Sequence, residues 1–162
     1  MTENDPVKTA LNKAMAICAT HEHCSEDIRI KLDSWGLRGA DIEEVISRLT
    51  KENFINDKRY AESYVSDKYR HNKWGKLKIA ALLRAKRMSP DLIKSALDTL
   101  NEDEYRQNIR EILTSHRKVI KAKNQYEMKG KLLRFGLSKG FESHLIYDIL
   151  NEGEEQEHKK KR

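Results

Sequence analysis

Apolar positions recur along the chain with a helical rhythm. Ile42, Val45, Ile46 and Leu49 fall at i, i+3, i+4 and i+7, the spacing of one buried helix face, and Ile93, Ala96, Leu97 and Leu100 repeat it. The pattern also returns on a longer scale. Moving the segment that begins at Ser25 forward by 51 positions lays Ile28 on Ile79, Leu32 on Leu83, Leu37 on Met88 and Ile46 on Leu97. Moving it by 100 lays Leu32 on Leu132, Trp35-Gly36-Leu37 on Phe135-Gly136-Leu137, and Ile46 on Ile146. Three copies at a period near 50 residues predict a tandem repeat.

Each copy reads as a helix, a short turn and a second helix. A further helix precedes each pair, over 8–20, 57–72 and 103–121. The expected fold is therefore all-α: three tandem three-helix repeats, at 8–55, 56–102 and 103–152, forming an elongated curved body. A short tail precedes them at 1–7, and a charged disordered tail follows at 153–162. A module of this size has little core of its own, so stacked modules should share buried surface. Local signals support the turns. Gly36 and Gly136 suit a helix C′ position with positive φ. Asp41 with Glu44 fits a capping box, and Ser89-Pro90 fits an N-cap followed by proline at N1. At Asn56-Asp57 a new helix begins. Asp57 is expected to cap it, and Tyr60, Ala61, Tyr64 and Val65 to bury themselves at the junction of the first two modules.

Composition agrees with long helices. Of 162 residues, 36% are charged and 38% apolar, with two Pro and seven Gly. No apolar run approaches a membrane span, and the N-terminus lacks a basic-then-apolar leader, so a cytoplasmic monomer is expected. Cys18, His21, His23 and Cys24 could in principle make a zinc site, but no second ligand pair of zinc-finger type occurs elsewhere. Cys18 instead shares a helix face with Leu11, Ala14 and Met15, so no metal site, disulfide or other cofactor is expected. The chain has no GxSxG, GxxxxGK[ST] or HExxH motif and its six His are scattered, so no catalytic residues are assigned.

Charge changes the picture more. The net charge is +6 and the pI about 9.2. Residues 68–87 carry Lys68, Arg70, Lys73, Lys76, Lys78, Arg84, Lys86 and Arg87 with no acid, and Trp74 lies among them. A second block, 117–134, holds seven basic residues, Lys118, Lys121 and Lys123 included, against Glu127 alone. Cations interleaved with aromatics suit a phosphate backbone or an acidic protein surface. A base-reading helix-turn-helix would carry its contacts on the last helix of a module, but those helices are acidic here. One reading is thus a stand-alone helical module that contacts single- or double-stranded DNA without sequence preference.

The residues Asp57-Lys58-Arg59-Tyr60-Ala61, the turn Trp74-Gly75-Lys76, the helix ending in Leu82-Leu83 and the opening AICATHEHCSEDIRIKL together resemble the RecX regulatory proteins. The resemblance covers most of 8–152. It implies tandem three-helix repeats and a non-enzymatic partner of the RecA recombinase. Such a protein lies in the groove of the RecA–DNA filament and restrains its ATPase, strand-exchange and coprotease activities. It also implies a mainly structural role for Asp57, Arg59, Tyr60, Ala61 and Tyr64. The cations and Trp74 would then face the partner.

Overall fold

The structure, a computed structural model, describes residues 5–160, with side chains as far as Glu154. Among these residues there are nine helices and no strand: α1 (Pro6–Thr20), α2 (Ser25–Ser34), α3 (Gly39–Lys51), α4 (Asp57–Arg70), α5 (Lys76–Ala85), α6 (Pro90–Leu97), α7 (Glu102–Arg117), α8 (Gln125–Ser138) and α9 (Ser143–Lys160). The fold is all-α, with three helices to each of three tandem repeats. The chain divides into two compact units, Met1–Ser63 with Leu83–Ile93, and Tyr64–Leu82 with Lys94–Arg162. Each helix of the second repeat contributes residues to both units.

In the first unit α1 starts at Pro6, two residues before the expected boundary. Proline fixes φ at the N1 position, and the Asp5 carboxylate accepts a hydrogen bond from the Val7 amide at 3.0 Å. The apolar faces read from the sequence meet here. Ala10 and Ala14 of α1, Ile28 and Leu32 of α2, and Val45, Ile46 and Leu49 of α3 are buried together with Leu37 and Ile55 from the turns. Cys18 packs beside them, and the buried Cys24 thiol is pushed up to about 11 by loss of solvation. Both cysteines are free.

The turn after α2 is a Schellman motif. Gly36 has φ +96°, its amide donates to the Asp33 carbonyl at 3.0 Å, and the Leu37 amide donates to the Leu32 carbonyl at 3.1 Å. The same turn recurs in this unit with a non-glycine residue in the left-handed position. Arg87 has φ +58°, and the Met88 amide donates to the Leu83 carbonyl at 3.2 Å. Ser89 then caps α6 as expected, its Oγ accepting from the Leu92 amide at 3.2 Å. The capping box at Asp41 does not form. Gly39, with φ +47°, turns the chain into α3 early, so Asp41 is already the third helical residue, and the N-cap Arg38 gives the first turn no side-chain capping bond.

In the second unit α7, α8 and α9 pack around Tyr105, Ile109, Leu113, Leu132, Phe141, Leu145 and Ile146. Asn101 and Asn124 cap α7 and α8, accepting from the Glu104 and Glu127 amides at 2.9 and 2.8 Å. Gly136 is not a C′ residue. It lies buried inside α8, and the left-handed position is Gly140, φ +92°, whose neighbour Phe141 donates back to the Gly136 carbonyl at 3.1 Å. The Schellman glycine of the third copy thus follows Gly36 by 104 residues rather than 100. A shift of four residues keeps a helix face in place, so the apolar pattern is nearly blind to it. Gly136 serves close packing instead: a β-carbon there would stand 2.6 Å from Ile146 Cδ1.

Helix α7 ends at Arg117 and α4 at Arg70, both short of expectation. Helix α9 runs the other way, continuing to Lys160 through most of the expected disordered tail. The segment is rich in Glu, Gln and Lys, strong helix formers, and contains no proline to stop it. The last two residues of that tail, 161–162, and residues 1–4 lie outside the described residues.

Candidate partner-binding face

The helix start at Asn56-Asp57 divides its labour differently from expectation. Asn56 is the cap, accepting from the Arg59 amide at 3.0 Å. Asp57 reaches across 32 residues of sequence to accept the Ser25 amide at 2.8 Å, at the first turn of α2. Its own N-cap, Cys24, offers α2 no side-chain acceptor, so Asp57 supplies the missing one. Arg59 extends the same link: Nε meets Glu22 Oε1 at 2.6 Å and Nη2 donates to the Asn53 carbonyl at 3.3 Å. The Asp-x-Arg pair therefore ties the start of the second repeat to the loop before α2. Asp57→Ala is expected to cost about 1–2 kcal/mol in chemical denaturation, while Asp57→Asn, which keeps an acceptor, costs less. Equal stability of all three proteins would remove the cap from this account.

Ala61 and Val65 are buried as expected, but Tyr60 and Tyr64 are only half-buried. Each ring instead lies against an ammonium group. Lys86 Nζ stands 5.5 Å from the Tyr60 ring and Lys68 Nζ 5.4 Å from the Tyr64 ring. Burial raises the Tyr60 hydroxyl, and the neighbouring Lys86 opposes that shift.

The cations of 68–87 fall into two groups. In the second unit Trp74 lies between Lys68 and Lys78, whose ammonium groups stand 5.4 and 4.5 Å from its ring. Arg70 and Lys73 are exposed near it, Lys73 in the left-handed region at φ +59°, and neither has an ion pair among the described residues. Lys76 is different. Its ammonium binds Glu102 and sits 4.8 Å from the Tyr105 ring, and its amide donates to the Tyr105 hydroxyl at 3.0 Å. In the first unit Arg84 is exposed, whereas Lys86 binds both carboxylate oxygens of Asp27 at 3.0 and 3.3 Å. Arg87, with 80% of its side chain exposed, lies 3.7 Å from Glu26. Lys76 and Lys86 are thus engaged inside the fold. Arg70, Lys73, Lys78 and Arg84 have no ion pair among the described residues, whereas the ammonium of Lys68 lies 3.8 Å from Asp67 as well as over the Tyr64 and Trp74 rings. Lys118, Lys121 and Lys123, between α7 and α8, are exposed as well.

Two features were not visible in the sequence. The first is a ring stack: Tyr69 and Tyr105 at 6.0 Å between centroids, then Tyr105 edge-on to Phe141 at 5.7 Å. The Tyr105 hydroxyl donates to Glu142 at 2.6 Å, and Asn108 donates to the Tyr69 hydroxyl. Burial raises both phenols, Tyr69 to about 12. A raised folded value stabilises the fold below the unfolded value near 10 and is lost as pH rises from there toward 12. The urea midpoint should therefore fall above about pH 10, and less steeply in Tyr69→Phe. A midpoint that is flat through this range would contradict the buried phenols.

The second feature is a glycine contact. The turn between α4 and α5 docks on the turn between α8 and α9, the Gly75 amide donating to the Lys139 carbonyl at 2.7 Å and the Leu77 amide to the Gly140 carbonyl at 3.0 Å. This fixes Trp74 and Lys78 on either side of a rigid turn.

Among the described residues no helix is long and apolar enough to cross a membrane. Fold and face together define a tandem three-helix repeat protein that presents cations around a half-buried tryptophan. Residues 56–97 match the model of the second three-helix domain of RecX. The regulatory protein RecX of Clostridium acetobutylicum is 30% identical over 154 residues, covering 93% of this chain and 71% of that relative. The RecX of Clostridium perfringens strain 13 is 29% identical over 142 residues, and there the chain spans 64% of the relative's length. The crystal structure of RecX from Lactobacillus salivarius superposes with a TM-score of 0.84 at 23% identity, over 91% of this chain and 96% of that one. The chain belongs to the RecX family.

Proposed function

We propose that this protein binds the RecA–DNA filament and restrains the recombinase, lowering its ATPase, strand-exchange and coprotease activities. The observation that carries this reading is the family membership, with relatives named regulatory protein RecX matched along 93% of the chain. In this reading the protein acts in the cytoplasm as a monomer. It lies in the filament groove, contacts neighbouring RecA subunits through different repeats, and hinders the subunit movements of the ATPase cycle. Contact with more than one subunit raises affinity through effective concentration. The contacting cations are Lys68, Arg70, Lys73, Lys78, Arg84 and Arg87, with Trp74 among them and Lys118, Lys121 and Lys123 as a second group. Lys76 and Lys86 leave the set because Glu102 and Asp27 hold them.

The test is a titration of the protein into the DNA-dependent ATPase of RecA, with binding to bare DNA measured in parallel. Inhibition well below the concentration that coats the DNA supports a filament regulator. Inhibition that begins only when the DNA is saturated means competition for DNA, and the stand-alone nucleic-acid module replaces this reading.

A further inference from the structure

The second unit contains a groove of about 620 Å³ between α8 and α9 that the proposed function does not use. Its lining includes Tyr126, Glu127, Gly130, Leu133, Arg134 and Tyr147. Tyr126 is 89% exposed and Tyr147 44%, although neither ring is needed by the core. Folded chains seldom leave two large aromatics open beside one cavity without a use for them. Gly130 keeps the floor low: the nearest obstacle to a β-carbon there is Arg134 Nη1 at 3.6 Å, so the guanidinium lies beside the floor.

Of the cations in the groove lining and the block before it, some are paired and some are free. Within 117–134, Lys129 is tied to Asn151 at 2.9 Å and Glu154 at 3.2 Å, and Lys131 to Glu127 at 3.2 Å. Lys118, Lys121, Lys123 and Arg134 are exposed and have no ion pair among the described residues. The only acid of the block, Glu127, is thus already neutralised.

We infer that this groove is a stacking platform for single-stranded nucleic acid, in which Tyr126 and Tyr147 take unpaired bases while Arg134 and the lysines before α8 follow the phosphates. Stackable rings set in a run of cations are the elements of sequence-tolerant single-strand binding. A duplex keeps its base faces inside, so it meets the cations and not the rings. The inference stands apart from the RecA reading: Tyr126, Tyr147 and Arg134 are not among the cations assigned there, and only Lys118, Lys121 and Lys123 are common to both.

The experiment measures anisotropy of labelled oligothymidylate and of a duplex of equal length, with the wild-type protein and with Tyr126→Ala/Tyr147→Ala. Both rings are exposed, so the double variant should melt like the wild type. It should bind the single strand about tenfold or more weakly, with its salt dependence unchanged because the cations remain. Gly130→Leu, which fills the floor at a helical position, should weaken single-strand binding with the rings intact. The inference is overturned if the double variant binds as tightly as the wild type, if the duplex binds as well as the single strand, or if the wild type binds neither. RecA ATPase inhibition assayed on the same proteins reports on the other reading separately.

Discussion

Alanine at position 75 is expected to destabilise the protein by about 3 kcal/mol, from the addition of one methyl group. A β-carbon on Gly75 would stand 2.3 Å from the Gly140 carbonyl oxygen, 2.4 Å from its carbon and 2.5 Å from the Phe141 nitrogen. All three are backbone atoms, so no side-chain rotation relieves the overlap. The two turns would have to separate, and the bonds from Gly75 to Lys139 and from Leu77 to Gly140 would stretch with them. The same crowding holds in reverse, since a β-carbon on Gly140 would meet Lys78 Cβ at 2.3 Å in a backbone already at φ +92°. Gly130→Ala is the control. Its surroundings are open and helical, and it should gain about 0.5–1 kcal/mol. Chemical denaturation of the two variants checks the pair, and a Gly75→Ala protein as stable as the wild type would mean that the turns do not touch.

This contact also marks the limit of what the sequence makes legible. Helix faces obey a local period, so Ile28, Leu32, Val45, Ile46 and Leu49 could be placed in a core from spacing alone, and they lie there. Turn glycines are harder. Gly36 holds the C′ position that its spacing predicts, but a helix face survives a four-residue slip, so the same spacing predicts at Gly136 the turn that Gly140 makes. Interactions across long stretches of sequence left no local trace. Asp57 looked like a cap for its own helix because nothing near it points to Ser25. The basic block showed the same blindness: Lys76 and Lys86 match their neighbours in type, yet their acids lie 26 and 59 residues away. The aromatic groove of the third repeat leaves no sequence signal, because exposed and buried tyrosines look alike in a one-dimensional pattern. Only the fold distinguishes Tyr105, fully buried, from Tyr126.

Reversing the charge around Trp74 should separate regulation from stability. The variant is Arg70→Glu, Lys73→Asp and Lys78→Glu, all in the second unit. Aspartate is chosen at 73 because the backbone there has φ +59°, a conformation that Asp accepts more readily than Glu. None of the three has an ion pair among the described residues, so the fold loses only the cation that Lys78 places over Trp74. Such a contact is worth about 0.5–1 kcal/mol at an exposed site, and melting should change little. Lys76 is left alone, because removing it would strip Glu102 of its partner and confuse a folding defect with a binding defect. Opposite charges on the two surfaces speed encounter and like charges suppress it. The concentration needed to inhibit the RecA ATPase should therefore rise by on the order of tenfold or more, most steeply at low salt. The same substitutions leave Tyr126, Tyr147 and Arg134 intact, so binding to single strands through the third repeat should persist. Unchanged inhibition by a folded triple variant would show that the Trp74 face is a solvated surface and that the filament is met elsewhere.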